Sequence, residues 1–79
     1  MIPVVAAVGT THPYVAAGLL LDLAAIRSLG AQPVAIVAGV SAQDAQRVIA
    51  RAPVDAAIIT AQFDALAGVP LGAFCIGAL

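Results

Sequence analysis

The stretches VVAAV at residues 4–8 and VAIVAGV at residues 34–40 are apolar at successive positions instead of alternating with polar residues. Strands with that pattern are buried on both faces and belong to parallel sheets that helices cover on each side. The pattern therefore predicts an α/β fold. Two candidate helices in a chain of 79 residues supply only part of that cover. We therefore expect residues 1–79 to form the N-terminal segment of a larger α/β domain, which is incomplete without its remainder.

The composition is that of a core-forming chain. Hydrophobic residues make up 63% and charged residues 9% of the sequence, against roughly 45–50% and 25% in typical soluble domains. The formal net charge is −1, and no basic residues cluster. We therefore expect no nucleic-acid partner, and the high hydrophobicity excludes an intrinsically disordered chain.

A membrane-inserted chain must also be considered, because residues 1–21 carry no formal charge and are long enough to span a bilayer. Pro3, Pro13 and the polar run TTH at residues 10–12 interrupt that stretch, and no Lys or Arg precedes it. We therefore expect no membrane insertion. Cys75 is the only cysteine, so no intrachain disulfide can form, which suits a cytoplasmic protein.

The rest of the chain predicts strands and helices in the order β-α-β-α-β. The first helix is expected from Pro13 to about Leu29, where Gly30 provides a left-handed stop. Residues 41–54 are polar enough for a loop or an irregular crossover, although residues 45–52 can add a helical turn. The remaining predicted elements are a helix over residues 56–67 with Asp55 as its N-cap and a strand over residues 72–76. Such alternation implies right-handed crossovers and a parallel sheet.

The expected ligand site follows from this topology, because ligands of such sheets bind beyond the carboxyl ends of the strands. The segments at those ends are residues 9–16, 41–46 and 77–79. The first two of these hold the polar clusters near strand ends.

Two polar residues are candidates for ligand contact. Asp22 borders the apolar stripe of the first helix, where a carboxylate is costly to bury unless it is paired or reaches a ligand. A solvated aspartate at the helix edge is an equally good interpretation. Gln43 follows the second strand, where its amide can read a heterocycle through one acceptor and two donors, although most loop glutamines simply face water.

Other side chains favour structural roles or supply no known motif. His12 in the first turn can act as an acid, a base or a phosphate contact, but a structural turn histidine is the commoner outcome. Cys75 is most simply a small buried hydrophobe. The chain lacks a second His or Cys for a metal site, a Ser-His-Asp set, and the glycine patterns that bind nucleotides.

Several short motifs occur along the chain in a specific order and spacing. They are Gly9, Thr10 and Pro13 in the first turn, Ala17, Gly18, Asp22, Leu23, Leu29, Gly30 and Ala31 around the first helix, Ala42 and Gln43 after the second strand, Ala61, Gln62 and Asp64 in the second helix, and Ile76, Gly77 and Leu79 at the last strand. Together they resemble the hydroxymethylpyrimidine and phosphomethylpyrimidine kinases of thiamine biosynthesis, which have the ribokinase-like fold. The similarity covers essentially the whole chain and corresponds to the N-terminal third of those enzymes.

The resemblance implies substrate-binding roles. In the family, the aspartate matching Asp22 and the glutamine matching Gln43 hold the aminopyrimidine substrate. The apolar wall would come from the loop after Gly9 and from Ala78, where the family usually has Met. The reaction implied is ATP-dependent phosphorylation of the hydroxymethyl group, and the family's sites for ATP and Mg²⁺ and its catalytic base lie beyond the equivalent of Leu79. No catalytic residue is therefore assigned within this chain.

Several positions depart from the family pattern. Residues 14–16 replace its Ser-Gly-Gly, Asp44 and Ala45 replace its Asn-Thr, and Cys75 replaces the Lys of its last strand. We expect the 79 residues alone to be inactive, with the remainder of a kinase domain as their partner. The alternative is a non-catalytic binding or assembly module that covers its open sheet face by forming a homo-oligomer. A membrane-associated hydrophobic peptide is a third, weaker interpretation.

Overall fold

The structure of the chain is a computed structural model that describes residues 2–13, 18–44 and 46–77. Within these residues, strands and helices alternate with one β-hairpin among them. The elements are β1 (Val4–Thr11), α1 (Gly18–Ser28), β2 (Gln32–Gln43), β3 (Val48–Pro53), α2 (Ala56–Ala65) and β4 (Leu71–Ile76).

The strands form one sheet in the order β3-β2-β1-β4. The inner strand β1 is parallel to β2 on one side and to β4 on the other. Its neighbouring residues Ala6 and Ala7 are both fully buried. Because successive side chains of a strand point to opposite faces, β1 is covered on both faces, as its unbroken apolar run predicts. The α/β class is confirmed.

Helix α1 covers one face of the sheet. Leu19 and Ile26 lie two helical turns apart, so they share one side of the helix, and both are buried against Ala7 of β1. Burying a side chain such as leucine stabilises a fold by roughly 1.5–3 kcal/mol. The partly buried residues packed around this cluster are Val5, Leu23, Ala31, Ala35 and Val37.

The predicted helix ends are confirmed where local chemistry dictates them. Gly30 has φ of 87°, the left-handed conformation that ends a helix at low cost only in glycine. Asp55 caps α2, since its Oδ1 accepts a hydrogen bond from the backbone N–H of Ala57 at 3.0 Å. At its other end α2 is followed by Leu66 as its C-cap.

The predicted start of α1 is wrong. Strand β1 continues to Thr11, because Thr10 and Thr11 pair with Gly39 and Val40 of β2, and Pro13 lies in a bend before the helix. Helix α1 spans Gly18–Ser28, and the φ of Gly18 itself is 72°, a value outside the right-handed helical region. The prediction for residues 14–17 falls outside the described residues.

The predicted loop over residues 41–54 is also wrong. Strand β2 extends to Gln43, and β3 returns antiparallel to it, with Val40 opposite Ala52 and Ser41 opposite Arg51. We call this unit, residues 39–53, the hairpin. Its turn forms because Oδ1 of Asp44 accepts the backbone N–H groups of Gln46 and Arg47, each at 2.9 Å. The sheet therefore has one antiparallel edge strand instead of being wholly parallel.

The remaining elements are mostly exposed. Helix α2 contacts β2 but has no buried residue among its described positions. In β4, Phe74 and Ile76 are 53% and 68% exposed, and Ile58 and Phe63 of α2 are exposed as well. No helix within residues 2–13, 18–44 and 46–77 is long and apolar enough to cross a membrane.

Candidate functional site

A cleft of about 440 Å³ opens at the carboxyl ends of β1 and β2. Its size is within the usual range of small-molecule sites, about 300–1,000 Å³. All three predicted segments contribute to it, through Gly9, through Ser41 and Gln43, and through Gly77. The lining residues are Gly9, Thr10, His12, Gly18, Leu19, Ala38, Gly39, Val40, Ser41, Gln43, Val48, Arg51, Ala52, Pro53 and Gly77.

Glycines let the backbone segments around the cleft approach closely. A Cβ atom on Gly18 would lie 2.9 Å from the carbonyl oxygen of Thr10 and 3.3 Å from the His12 ring. A Cβ atom on Gly39 would lie 3.3 Å from Oγ1 of Thr10 and 3.4 Å from the carbonyl oxygen of Ala52. The distances to Thr10 and to the His12 ring are shorter than ordinary van der Waals contact, so a side chain at Gly18 or Gly39 would push these neighbours away.

Asp22 lies beside the cleft rather than in its lining. It is half-buried on α1, and its Oδ2 is 3.5 Å from the point where Gly77 would carry a Cβ atom. Gly77 is fixed at the end of β4 by donating its N–H to the carbonyl oxygen of Val8 at 2.9 Å. The carboxylate of Asp22 is therefore next to a residue that lines the cleft.

Gln43 lies in the cleft itself and is half-buried. The hydroxyl of Ser41 is 3.3 Å from Oε1 of Gln43 and 3.5 Å from the carbonyl oxygen of Thr11. One hydroxyl hydrogen serves only one of these acceptors at a time. Within the described residues, the amide nitrogen of Gln43 makes no hydrogen bond, which leaves both of its hydrogens for a ligand.

The other predicted positions have mixed outcomes. Gly9 lines the cleft, and Ala78 lies outside the described residues. His12 also lines the cleft, and its ring packs against Gly18. Cys75 is exposed rather than buried, because it belongs to the edge strand β4 whereas α1 packs on β1 and β2.

Sequence reasoning missed the wall that β3 contributes. Val48, Arg51 and Pro53 line the cleft, and they were missed because residues 41–54 were expected to be irregular. The signal that was available is Asp44 in a short polar run, a common initiator of turns. Once residues 48–53 pair with β2, the cleft acquires a cationic side chain.

Residues 13–79 match the family model of phosphomethylpyrimidine kinase. The chain is also similar to a solved phosphomethylpyrimidine kinase from Clostridium difficile 630, with 25% sequence identity and a TM-score of 0.89. It resembles in fold a pyridoxal kinase from Staphylococcus aureus, solved in complex with pyridoxal, with 15% sequence identity and a TM-score of 0.89. It also resembles in fold a pyridoxal kinase from Bacillus subtilis, with 18% sequence identity and a TM-score of 0.85.

The coverage of these similarities is unequal. Each of the three solved structures is matched over 100% of this chain, but the chain spans 34%, 30% and 31% of their respective lengths. None of the curated proteins matches it. The alignments therefore include all of this chain but only about one third of each solved kinase.

Proposed function

This chain belongs to the phosphomethylpyrimidine kinase family, and we propose that it forms the substrate-side segment of an ATP-dependent kinase acting on hydroxymethylpyrimidine or its phosphate in thiamine biosynthesis. The observation that carries the proposal is the cleft at the carboxyl ends of β1 and β2, with Gln43 in its lining and Asp22 beside it. That edge is where open α/β sheets bind their ligands.

The chemistry of the two polar residues fits an aminopyrimidine. The exocyclic amine of the ring can donate a hydrogen bond to the carboxylate of Asp22, and the ring nitrogens can accept hydrogen bonds from the side-chain amide of Gln43. The small residue Gly9 leaves room for the flat ring, and Ala78 is proposed as a further apolar contact. A few fixed polar groups in a mostly apolar cleft are typical of small-molecule sites.

Phosphoryl transfer requires groups that this chain does not bring together. The sequence has no lysine and no phosphate-binding glycine loop, and no group of three or more His, Cys, Asp or Glu residues within the described parts of the chain can hold a metal ion. The residues present therefore do not fit ATP and Mg²⁺. We propose that other parts of a kinase domain bind them, and that the 79 residues alone do not transfer phosphate.

The exposed apolar residues support such a partner. Phe74 and Ile76 of β4 and Ile58 and Phe63 of α2 are large, hydrophobic and exposed. Apolar surface of this kind is normally covered by further protein. The remainder of a kinase domain is the partner we favour, because the chain spans only about a third of the structures it matches. A homo-oligomeric assembly module is the second candidate, supported by the same exposed side chains.

Ligand binding tests the proposed site. In the intact gene product, Asp22→Asn and Gln43→Ala should each weaken binding of the hydroxymethyl aminopyrimidine by roughly tenfold in calorimetry. Asp22→Asn removes the negative charge that strengthens the hydrogen bond from the ring amine, and Gln43→Ala removes the amide that donates to the ring. Gln46→Ala, an exposed glutamine on the hairpin turn, is the matched control and should leave binding unchanged. Indifference to Asp22→Asn and Gln43→Ala would instead favour the assembly module.

The intact mass of the gene product, purified from its own cells, separates the two candidates without assuming a fold. A mass far above 7.8 kDa supports the kinase segment, whereas a mass equal to that value favours the oligomeric module. Phosphorylated pyrimidine formed from ATP by the purified 79-residue chain would refute the proposal that the chain alone is inactive.

A further inference from the structure

The hairpin brings one cation to the cleft. Antiparallel pairing sets Ser41 directly opposite Arg51, and residues opposite each other in such a pair project from the same face of the sheet. Ser41 and Arg51 both line the cleft. The hairpin register thus places the guanidinium group on the same wall as Ser41 and Gln43, the polar residues at the end of β2.

Among the described residues that line the cleft, Arg51 alone carries a permanent charge. Within the described residues it makes no salt bridge, and its side chain is exposed to the open cleft. The other arginines are elsewhere: Arg27 is in the last turn of α1, and Arg47 is in the hairpin turn. A guanidinium group in a mostly apolar cleft attracts an anion, and its planar set of donors matches a phosphate group.

We infer that Arg51 contacts the phosphate of the phosphorylated aminopyrimidine and thereby makes this cleft prefer the phosphate ester over the free alcohol. The inference rests on the proposed function, because it assigns a preference within the same substrate class. Its basis is that the two ligands share the ring that Asp22 and Gln43 are proposed to hold and differ only in the anionic group.

The test compares the two ligands on matched variants of the intact gene product. Arg51→Gln should weaken binding of the phosphate ester by roughly ten- to hundredfold, the usual effect of losing a charge-assisted hydrogen bond, and should leave the Kd of the alcohol within about twofold. Arg47→Gln removes the same charge from the same hairpin, outside the cleft, and should change neither. Arg51→Lys should recover part of the affinity for the ester, because it restores the charge without the planar donors.

Salt dependence gives a second readout. Wild-type affinity for the ester should fall with rising ionic strength, and that slope should flatten in Arg51→Gln, whereas affinity for the alcohol should be insensitive to salt. Far-ultraviolet circular dichroism should be the same for all variants, since Arg51 makes no salt bridge within the described residues.

The outcomes separate the two proposals. If the wild-type protein binds both ligands and Arg51→Gln weakens them equally or not at all, the role of Arg51 is refuted and the proposed function stands. If the wild-type protein binds neither ligand, the proposed function fails and the inference fails with it. If Arg51→Gln weakens binding of the phosphate ester alone and Arg47→Gln does not, the result supports both the role of Arg51 and the proposed function.

Discussion

The side-chain amide of Gln62 satisfies both backbone hydrogen-bonding groups of Val37. Oε1 of Gln62 accepts the N–H of Val37 at 2.7 Å, and Nε2 of Gln62 donates to its carbonyl oxygen at 2.9 Å. Strand β3 pairs with residues 39–43 of β2 and does not reach Val37. A glutamine on α2 therefore takes the place of a strand at this point of the sheet edge, and it ties the helix to β2.

Gln62→Ala should destabilise the fold by about 2 kcal/mol, because it leaves two part-buried backbone groups without their partner. Urea unfolding followed by circular dichroism measures this change. Gln46→Ala, a substitution of an exposed glutamine, is the control and should stay within about 0.5 kcal/mol of wild type. Equal stability of the two variants would show that the Gln62 amide contributes nothing to holding α2 on the sheet.

Asp44 organises the hairpin turn by accepting the backbone N–H groups of Gln46 and Arg47. Asp44→Ala should accelerate hydrogen exchange at the amide of Asp44 itself, which is bonded to the carbonyl oxygen of Arg47, by several-fold. Asp44→Asn should retain most of the protection, since the asparagine oxygen accepts the same bonds. Asp64→Ala, which removes an exposed carboxylate on α2, is the control and should leave exchange at the Asp44 amide unchanged. Unchanged exchange at that position in Asp44→Ala would contradict the role of the Asp44 carboxylate.

The reliable sequence signals were local and chemical. The apolar runs at residues 4–8 and 34–40 identified β1 and β2 because burial on both faces removes the need for polar positions. Asp55 and Gly30 marked helix ends because an N-cap acceptor and a positive φ are requirements of single residues. Gly9 and Gln43 were placed at the cleft because parallel strands direct their carboxyl ends to one edge.

The features that the sequence concealed depend on pairing and exposure. Residues 48–53 of β3 are exposed, so they show no alternation of apolar and polar positions, and only pairing with β2 makes them a strand. Arg51 therefore could not be assigned to the cleft before the hairpin was seen. Cys75 has apolar sequence neighbours, as in a core strand. However, β4 is an edge strand of this sheet, and the side chain of Cys75 is exposed.

The hairpin turn should depend on pH through Asp44. The backbone N–H groups of Gln46 and Arg47 hold the pKa of this carboxyl below its usual value of 3.8. Because the pKa is lower in the folded state, the stabilisation is complete above 3.8 and is lost as the pH falls through the folded pKa. We expect the amide resonances of Gln46 and Arg47 to shift with a midpoint below 3.8 in an NMR titration. Asp44→Asn should abolish that transition, and a midpoint at or above 3.8 would contradict the two hydrogen bonds.

A glycine series separates backbone strain from steric contact near the cleft. Gly30→Ala should cost about 1–2 kcal/mol, the penalty of a left-handed alanine, because no atom lies within 4 Å of the added Cβ. Gly18→Ala should cost more, since its φ is also positive and the added Cβ would lie 2.9 Å from the carbonyl oxygen of Thr10. Gly68→Ala, with open space and no positive φ, should stay within about 0.5 kcal/mol of wild type. Denaturant unfolding of the three variants tests this ranking. Equal losses of unfolding free energy in Gly18→Ala and Gly30→Ala would contradict the close approach of Thr10 to Gly18.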